Sequence, residues 1–272
     1  QHGQELLRIT DLKFGYTAEK VTLQDVNFTI HKGEMVSIVG RNGAGKSTLA
    51  KLICGFEQPV SGSILMEGRD LKGDTIKERA ARIGYVMQNP NQMISKPMIW
   101  DEVEMALVLS GMPKEERTAR VEETLRICGL YPFRNWPVSA LSFGQKKRVT
   151  IASILVQRPQ IIILDEPTAG QDYHHYTEIM DFLKELNGKG YTILMITHDM
   201  HLMLEYTKRA IVFSEGRMLA DTTAAHVLND PQLVQEANLK ETSLYTLSLA
   251  CGIEEPQVFT ECFIGYEQKE VR

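Results

Sequence analysis

The stretch Gly40-Arg41-Asn42-Gly43-Ala44-Gly45-Lys46-Ser47 constrains this chain more than any other. It reads as a glycine, four residues, then Gly-Lys-Ser, which is the P-loop pattern. MVSIVG predicts a strand running into it, and STLAKLICG predicts a helix running out of it. In that context, glycines let backbone N–H groups turn inward around phosphate oxygens with no Cβ in the way. The helix that follows adds the positive end of its dipole. Lys46 is placed to reach the β and γ oxygens of a triphosphate, and Ser47 to ligate Mg²⁺. A chain with this loop is expected to be an α/β protein built on a parallel sheet.

Length and composition suit that expectation. The 272 residues can bury a large core, and 43% hydrophobic with 24% charged residues is ordinary for a globular protein. The net charge of −5 argues against a general polyanion-binding surface. No run of about 18 apolar residues is present to span a bilayer. The opening QHGQELLRIT has neither an apolar core nor a basic leader, so no signal peptide is expected there. The cysteines, Cys54, Cys128, Cys251 and Cys262, form no CxxC pair and are expected to be free thiols in a reducing cytoplasm.

Further along, LLRITDLKFGY and VTLQDVNFTI predict two strands, the second with Val26, Phe28 and Ile30 alternating as on a half-buried face. SGSILMEGRDL predicts another strand, bounded by Gly turns. From Trp100 to Leu130 the spacing is helical: Val103 with Leu107 and Val121 with Leu125 sit four apart, and Gly111-Met112-Pro113 divides two helices. A third helix follows Ser142, with Val149, Ala152 and Leu155 on one face. QIIILDEP and YTILMITHD predict strands buried on both faces, with the helix YHHYTEIMDFLKELNGKG between them. AAHVLNDPQLVQEANLK predicts a helix broken before Pro231, and the tail to Arg272 reads as a small appended subdomain.

A P-loop needs an acid for Mg²⁺ and a group for the attacking water. Asp165, ending a buried strand, is the expected metal carboxylate. Glu166 is expected on the other side of that strand, contacting the water. His198 ends TILMITH and is a candidate γ-phosphate partner. Gln88 follows IGYVMQ and is a candidate sensor of Mg²⁺ or water. Ser142 is a good N-cap for the helix after Leu141-Ser142-Phe143-Gly144-Gln145, which reads either as a second anion cradle or as a capped helix start alone.

Taken in order, the P-loop, Gln88, LSFGQ, ILDEP, AGQD and TH resemble the ATPase subunit of ABC transporters, from about Leu6 to about Asp221. The resemblance implies a P-loop NTPase of ABC type. This has a RecA-like parallel-sheet core, an N-terminal antiparallel β subdomain, a helical subdomain at about 92–157 and a small C-terminal subdomain, so that residues 1–225 form the ATPase domain and 226–272 an appendage. It implies ATP and Mg²⁺ as ligands. Tyr16, Gly40, Asn42, Gly43, Ala44, Gly45, Lys46, Ser47 and Thr48 would hold ATP, and Ser47, Gln88 and Asp165 the metal. Glu166, His198 and Gln88 would be catalytic. A head-to-tail dimer is implied, in which Ser142, Phe143, Gly144, Gln145 and Asp172 contact the ATP of the opposite cassette. Two departures stand out: Phe143 replaces the first Gly of the commoner LSGGQ, and Gln171 stands where Leu is commoner.

Within the family, QNPNQ from Gln88 to Gln92, and the tail with LNDPQLVQEANL and SLYTLSLACGI, resemble the ATPases of energy-coupling factor importers of cobalt and vitamins. The implied protein is peripheral, on the cytoplasmic face of the membrane. It would power import of a vitamin or metal ion through integral membrane subunits, with a second ATPase subunit and no nucleic acid as partner. The alternative is a soluble ABC ATPase acting on nucleic acid or ribosomes. The tail is expected to help dimerisation. A start at Gln1 fits the second half of a tandem-ATPase polypeptide and a tag remnant equally. Lys146-Lys147-Arg148 reads as a helix face that could also help hold nucleotide. MQNPNQMISKPM reads either as a partner-docking surface or as loop filling. Trp100 is a partner anchor or a core residue, and His174-His175 is a solvated helix start.

Overall fold

A computed structural model of the chain describes residues 3–17, 20–169, 173–237, 239, 247–248, 251–253, 258–259 and 262, leaving out the side chains of 20, 173, 174, 200, 201, 204 and 228. Gln171, Asp172 and most of the tail resembling a dimerisation region lie outside the described residues. The elements in chain order are β1 (Glu5–Thr17), β2 (Lys20–His31), β3 (Met35–Val39), α1 (Lys46–Cys54), β4 (Ser61–Met66), β5 (Arg69–Asp70), α2 (Ile76–Ala80), β6 (Ile83–Val86), α3 (Ile99–Leu109) and α4 (Lys114–Ile127). They continue with α5 (Phe143–Leu155), β7 (Ile161–Asp165), α6 (Tyr173–Gly188), β8 (Thr192–Thr197), α7 (Met200–Tyr206), β9 (Arg209–Ser214), β10 (Arg217–Thr223), α8 (Ala224–Asn229) and α9 (Pro231–Glu236). Two compact units result, Gln1–Gly73 with Leu194–Arg272, and Asp74–Ile193.

The first unit holds two sheets. One is antiparallel, in the order β2-β1-β4-β5. Val26, Phe28 and Ile30 are buried, as their alternation predicts. The single strand expected over SGSILMEGRDL is instead β4 and β5, because Glu67 (φ 51°) and Gly68 (φ 79°) both take the left-handed conformation that turns a tight hairpin. The other sheet runs β10-β9-β3-β8 within this unit. β3 and β9 are parallel, with Val36 opposite Arg209 and Ile38 opposite Ile211. β10 returns antiparallel along β9 after the Glu215-Gly216 turn.

Arg209 ties this sheet to its surroundings. Its guanidinium donates to both oxygens of Glu34, to the Thr29 carbonyl, and to both oxygens of Asp221 at 2.7 Å. The hydrogen bonds to Asp221, more than its burial opposes them, raise the arginine's pKa above its ordinary value. The chain breaks before Pro231 as expected: Pro231 opens α9 and the Asp230 carboxylate caps it by accepting from Gln232 and Leu233 N–H. Val227, Leu233 and Ala237 pack into one apolar cluster with Val39, Met203, Ala210 and Val212. The strands β9 and β10 and the short helices α2 and α7 were not anticipated from sequence.

In the second unit β6 and β7 pair in parallel, Val86 opposite Leu164, with the first residues of β8 alongside β7. Ile161 to Leu164 are fully buried, as a strand covered on both faces should be. The helices α3 and α4 separate at Gly111, which has φ of 77°. Val103, Leu107, Val121 and Leu125 are all buried, and so are Val149, Ala152 and Leu155 of α5. The apolar stripes read in the sequence are thus the packed faces. Cys54 and Cys128 are buried free thiols and Cys251 and Cys262 exposed ones. Burial pushes the Cys128 thiol up to about 12.

Ile211 lies at 0% exposure in the middle of β9, with neighbouring strands on both sides. Ile211→Ala is expected to destabilise the protein by about 2–5 kcal/mol, from lost transfer energy plus the cavity left behind. Urea denaturation followed by circular dichroism measures this.

Candidate functional site

The first unit carries the P-loop between β3 and α1. Gly40 runs so close to β9 that a Cβ there would lie 2.3 Å from the Phe213 carbonyl oxygen. Gly43, with φ of 83°, has nothing within 4 Å of where a Cβ would stand. The loop is therefore pressed against the sheet at one end and open at its crest. Gly45, in the left-handed conformation, is the N-cap of α1 and supplies no side-chain cap to it. A helix start whose capping residue has no side chain is the kind at which anions bind. This is the fit a phosphate chain requires.

Lys46 is 5% exposed, and its ammonium donates to the carbonyls of Gly40 at 2.5 Å and Arg41 at 3.0 Å. It folds back along the loop, its charge held at the Gly40–Arg41 end. Ser47 is exposed on the first turn, while Ala44 is buried. His198 is exposed directly after β8, the sheet neighbour of β3, so P-loop and His198 follow adjacent strands. The next residue fixes the turn: Asp199 N–H donates to Thr197 Oγ1 at 2.9 Å, and the Asp199 carboxylate accepts from Leu202 N–H. Tyr16, near the end of β1, is 53% exposed and stands edge-on to Phe14, with ring centroids 4.9 Å apart.

The second unit carries the acids and the Gln88 segment. Because β6 and β7 are parallel and in register, Gln88 and the Asp165-Glu166 pair emerge at the same end of the two strands. Tyr85 Oη donates to Asp165 Oδ2 at 2.8 Å. Glu166 is not on the strand: β7 stops at Asp165, and Glu166 has φ of 44°. Its side chain is aimed by a left-handed backbone, not by the strand alternation expected from sequence. Such a conformation costs a non-glycine residue about 1 kcal/mol or more, and it recurs where a side chain must be aimed.

Gln88 is exposed, but its backbone is held. Lys147 of α5 donates to the carbonyls of Met87 at 2.6 Å and Gln88 at 2.9 Å. Lys147 is 1% exposed, and burial lowers its pKa to about 8 against the opposing pull of Asp165. The Lys146-Lys147-Arg148 run is therefore not one solvated face. Arg148 donates to the carbonyls of Cys128 and Glu178 and lies over the Phe182 ring. Met93 Sδ accepts from Met87 N–H at 3.1 Å, and Asn89 Oδ1 caps the short turn Pro90–Gln92. Glu102, nearly buried, accepts from Ser95 and Lys96 N–H. The Met-rich stretch is thus braced loop. Trp100 is half-buried at the start of α3.

Ser142 and Gln145 form a reciprocal capping box at the start of α5. Ser142 Oγ accepts from Gln145 N–H at 3.3 Å, and Gln145 Oε1 accepts from Ser142 N–H at 3.0 Å. Phe143 is 38% exposed and lines a cavity with Gln88, Asn89, Gln92 and Ala169. Gly144 is buried, with His175 and Glu178 of α6 beside it, and His175 is half-buried. Sequence reasoning missed Tyr85 and Lys147. The parallel register puts Tyr85 opposite Ile163, two places short of the position facing Asp165, but nothing local in the sequence marks either residue.

Among the described residues no group of three or more His, Cys, Asp or Glu could hold a metal, and no helix is long and apolar enough to cross a membrane. The model of the ABC transporter family matches residues 23–169, and a model of an AAA domain matches 134–205. An ABC transporter ATP-binding protein of Enterococcus faecalis is 64% identical over 99% of this chain and 48% of its own length. One of Clostridium perfringens is 60% identical over 97% of this chain and 46% of its own. The chain spans about half the length of the curated relatives it matches. Among solved structures, CbiO1 of Clostridium perfringens, described as part of the ABC transporter complex CbiONQ, superposes with TM-score 0.80 at 32% identity, covering 92% of this chain and 100% of that one. MJ1267, an ATP-binding cassette of an ABC transporter in its ADP conformation, does so with TM-score 0.77 at 25% identity, covering 87% and 100%.

Ser142→Ala removes the side-chain half of the cap and is expected to lower stability by about 1 kcal/mol, with Ser142→Asp retaining most of it. Urea midpoints of the two variants provide the comparison.

Proposed function

Because the chain belongs to the ABC transporter family, whose ATP-binding domains hydrolyse ATP, we propose that it is the ATP-driven cassette of an importer, coupled to membrane subunits and working beside a second cassette. Its fold is that of ABC ATPases. The observation that carries the reading is the P-loop crest, open at Gly43 and followed by a helix start without a side-chain cap. Import of a vitamin or metal ion is proposed from the resemblance of Gln88–Gln92 to energy-coupling factor ATPases, and coupling to further transporter subunits is supported by the likeness to CbiO1, described as part of the ABC transporter complex CbiONQ.

In this reading the N–H groups from Gly43 to Thr48 surround the β and γ phosphates. Lys46 exchanges the Gly40 and Arg41 carbonyls for phosphate oxygens. Ser47, Gln88 and Asp165 would hold Mg²⁺, which would offset the negative charge of the phosphates and, as a cation that keeps several waters, needs few protein ligands. Tyr16 offers an exposed ring to the adenine. Glu166 takes the proton of the attacking water, and His198 and Gln88 orient water and γ-phosphate. Ser142, Phe143, Gly144 and Gln145 meet the ATP of the opposite cassette, as does Asp172, which lies outside the described residues.

Closure of two cassettes around ATP would move residues 92–157, the proposed helical subdomain, and with it the membrane partner. Hydrolysis removes the γ-phosphate contacts and resets the pair. Residues 226–272 are proposed to help dimerisation, and the protein to work at the cytoplasmic face of the membrane.

Glu166→Gln is expected to retain ATP binding and slow turnover by roughly 10²-fold or more, as loss of a general base does. A single-turnover rate close to wild type would remove Glu166 from that role. Lys46→Ala is expected to lose most of its ATP affinity, and unchanged binding by calorimetry would refute the phosphate assignment.

A further inference from the structure

Lys147 is among the largest fully buried side chains described, and its ammonium, within the second unit, is held by backbone carbonyls. A lysine ammonium taken out of water is costly unless its donors are satisfied. Here it donates to the Met87 and Gln88 carbonyls, at 2.6 and 2.9 Å. Those two carbonyls belong to the peptide planes on either side of the Gln88 Cα. A chain has only two soft torsions per residue, and fixing both flanking planes fixes them both. The direction of the Gln88 Cα–Cβ bond is then no longer a loop variable. The far side of the segment is braced separately, by Met93 Sδ on Met87 N–H and by the Asn89 cap.

Lys147 also lies two residues beyond Gln145, in the first turns of the helix whose start is the Ser142–Gln145 box. One side chain therefore connects that helix start to the backbone of Gln88. We infer that Lys147 is a positioning residue for Gln88: it aims the glutamine by clamping both of its flanking peptide groups, and it carries displacement of the α5 start to Gln88. The inference rests on the reading above in which Gln88 serves the Mg·ATP site. Lys147 does not itself touch nucleotide. The two neighbouring cations do different work, Lys146 being half-buried and Arg148 engaged with Cys128, Glu178 and Phe182.

The test compares Lys147→Met and Lys147→Arg in the full-length polypeptide. Lys147→Met keeps the stem and removes the donors, while Lys147→Arg keeps charge and donors. The expected result for Lys147→Met is a kcat lower by roughly tenfold, the size of loss a misplaced group produces, with the ATP KM little changed and a higher Mg²⁺ concentration for half-maximal rate. Lys147→Arg is expected to recover most of the rate. Hydrogen exchange gives a readout independent of activity: amides 87–89 exchange faster in Lys147→Met, while those of α5 keep their protection. Wild-type kcat and wild-type exchange at 87–89 in Lys147→Met would overturn the inference. So would equal loss of rate and of melting temperature in both variants, which would mark a packing role alone. Should the wild-type polypeptide hydrolyse no ATP while exchange at 87–89 responds as expected, the clamp stands and the nucleotide reading falls.

Discussion

Residue 40 can pass β9 only because it has no side chain. A Cβ there would meet the Phe213 carbonyl at 2.3 Å, and the backbone of a paired strand cannot step aside. That closeness sets where the loop leaves the sheet, and so where α1 begins and where Lys46 projects. The strand on the other side of the contact is itself immobilised, since Arg209, its first residue, reaches Glu34, Asp221 and the Thr29 carbonyl. The phosphate loop therefore inherits its position from a strand about 170 residues away in sequence, and the antiparallel sheet is tied to the same strand through Thr29 of β2.

Two helix starts in this chain illustrate opposite uses of the same physics. At α5 the Ser142 and Gln145 side chains satisfy the first N–H groups reciprocally. At α1 the capping position is a glycine with no side chain to offer. Both segments are glycine-containing loops entering a helix, and sequence alone suggests an anion site for each. What separates them is the capping residue: the α5 start is capped by its own Ser142 and Gln145, whereas the N-cap of α1 has no side chain to give.

The features legible in the sequence were those with a local signature. The P-loop follows from eight consecutive residues and their flanks. The buried strands Ile161–Asp165 and Thr192–Thr197 show as unbroken apolar runs, α3 and α4 as four-residue spacings, and α5 as spacings of three. β9 and β10 had a signal that went unread: AIVF is a continuous apolar run, and Glu215-Gly216 is a hairpin turn. Tyr85, Lys147 and the backbone of Glu166 had no such signal. Tyr85 matters because of strand register, Lys147 because a helix lies across a loop, and Glu166 because its strand ends one residue early. A lysine inside a Lys-Lys-Arg run looks solvated until tertiary packing divides the three among different partners.

The capping box at Ser142 has one more implication. Under the proposed pairing of cassettes this helix start would part from and rejoin a neighbour, and its donors would need a partner each time it is bare. Side chains that close on one another when solitary give that start a resting state of its own. Any visitor must first coax them open, at a cost near 1 kcal/mol per hydrogen bond, so its grip is softened by that amount and its departure hastened.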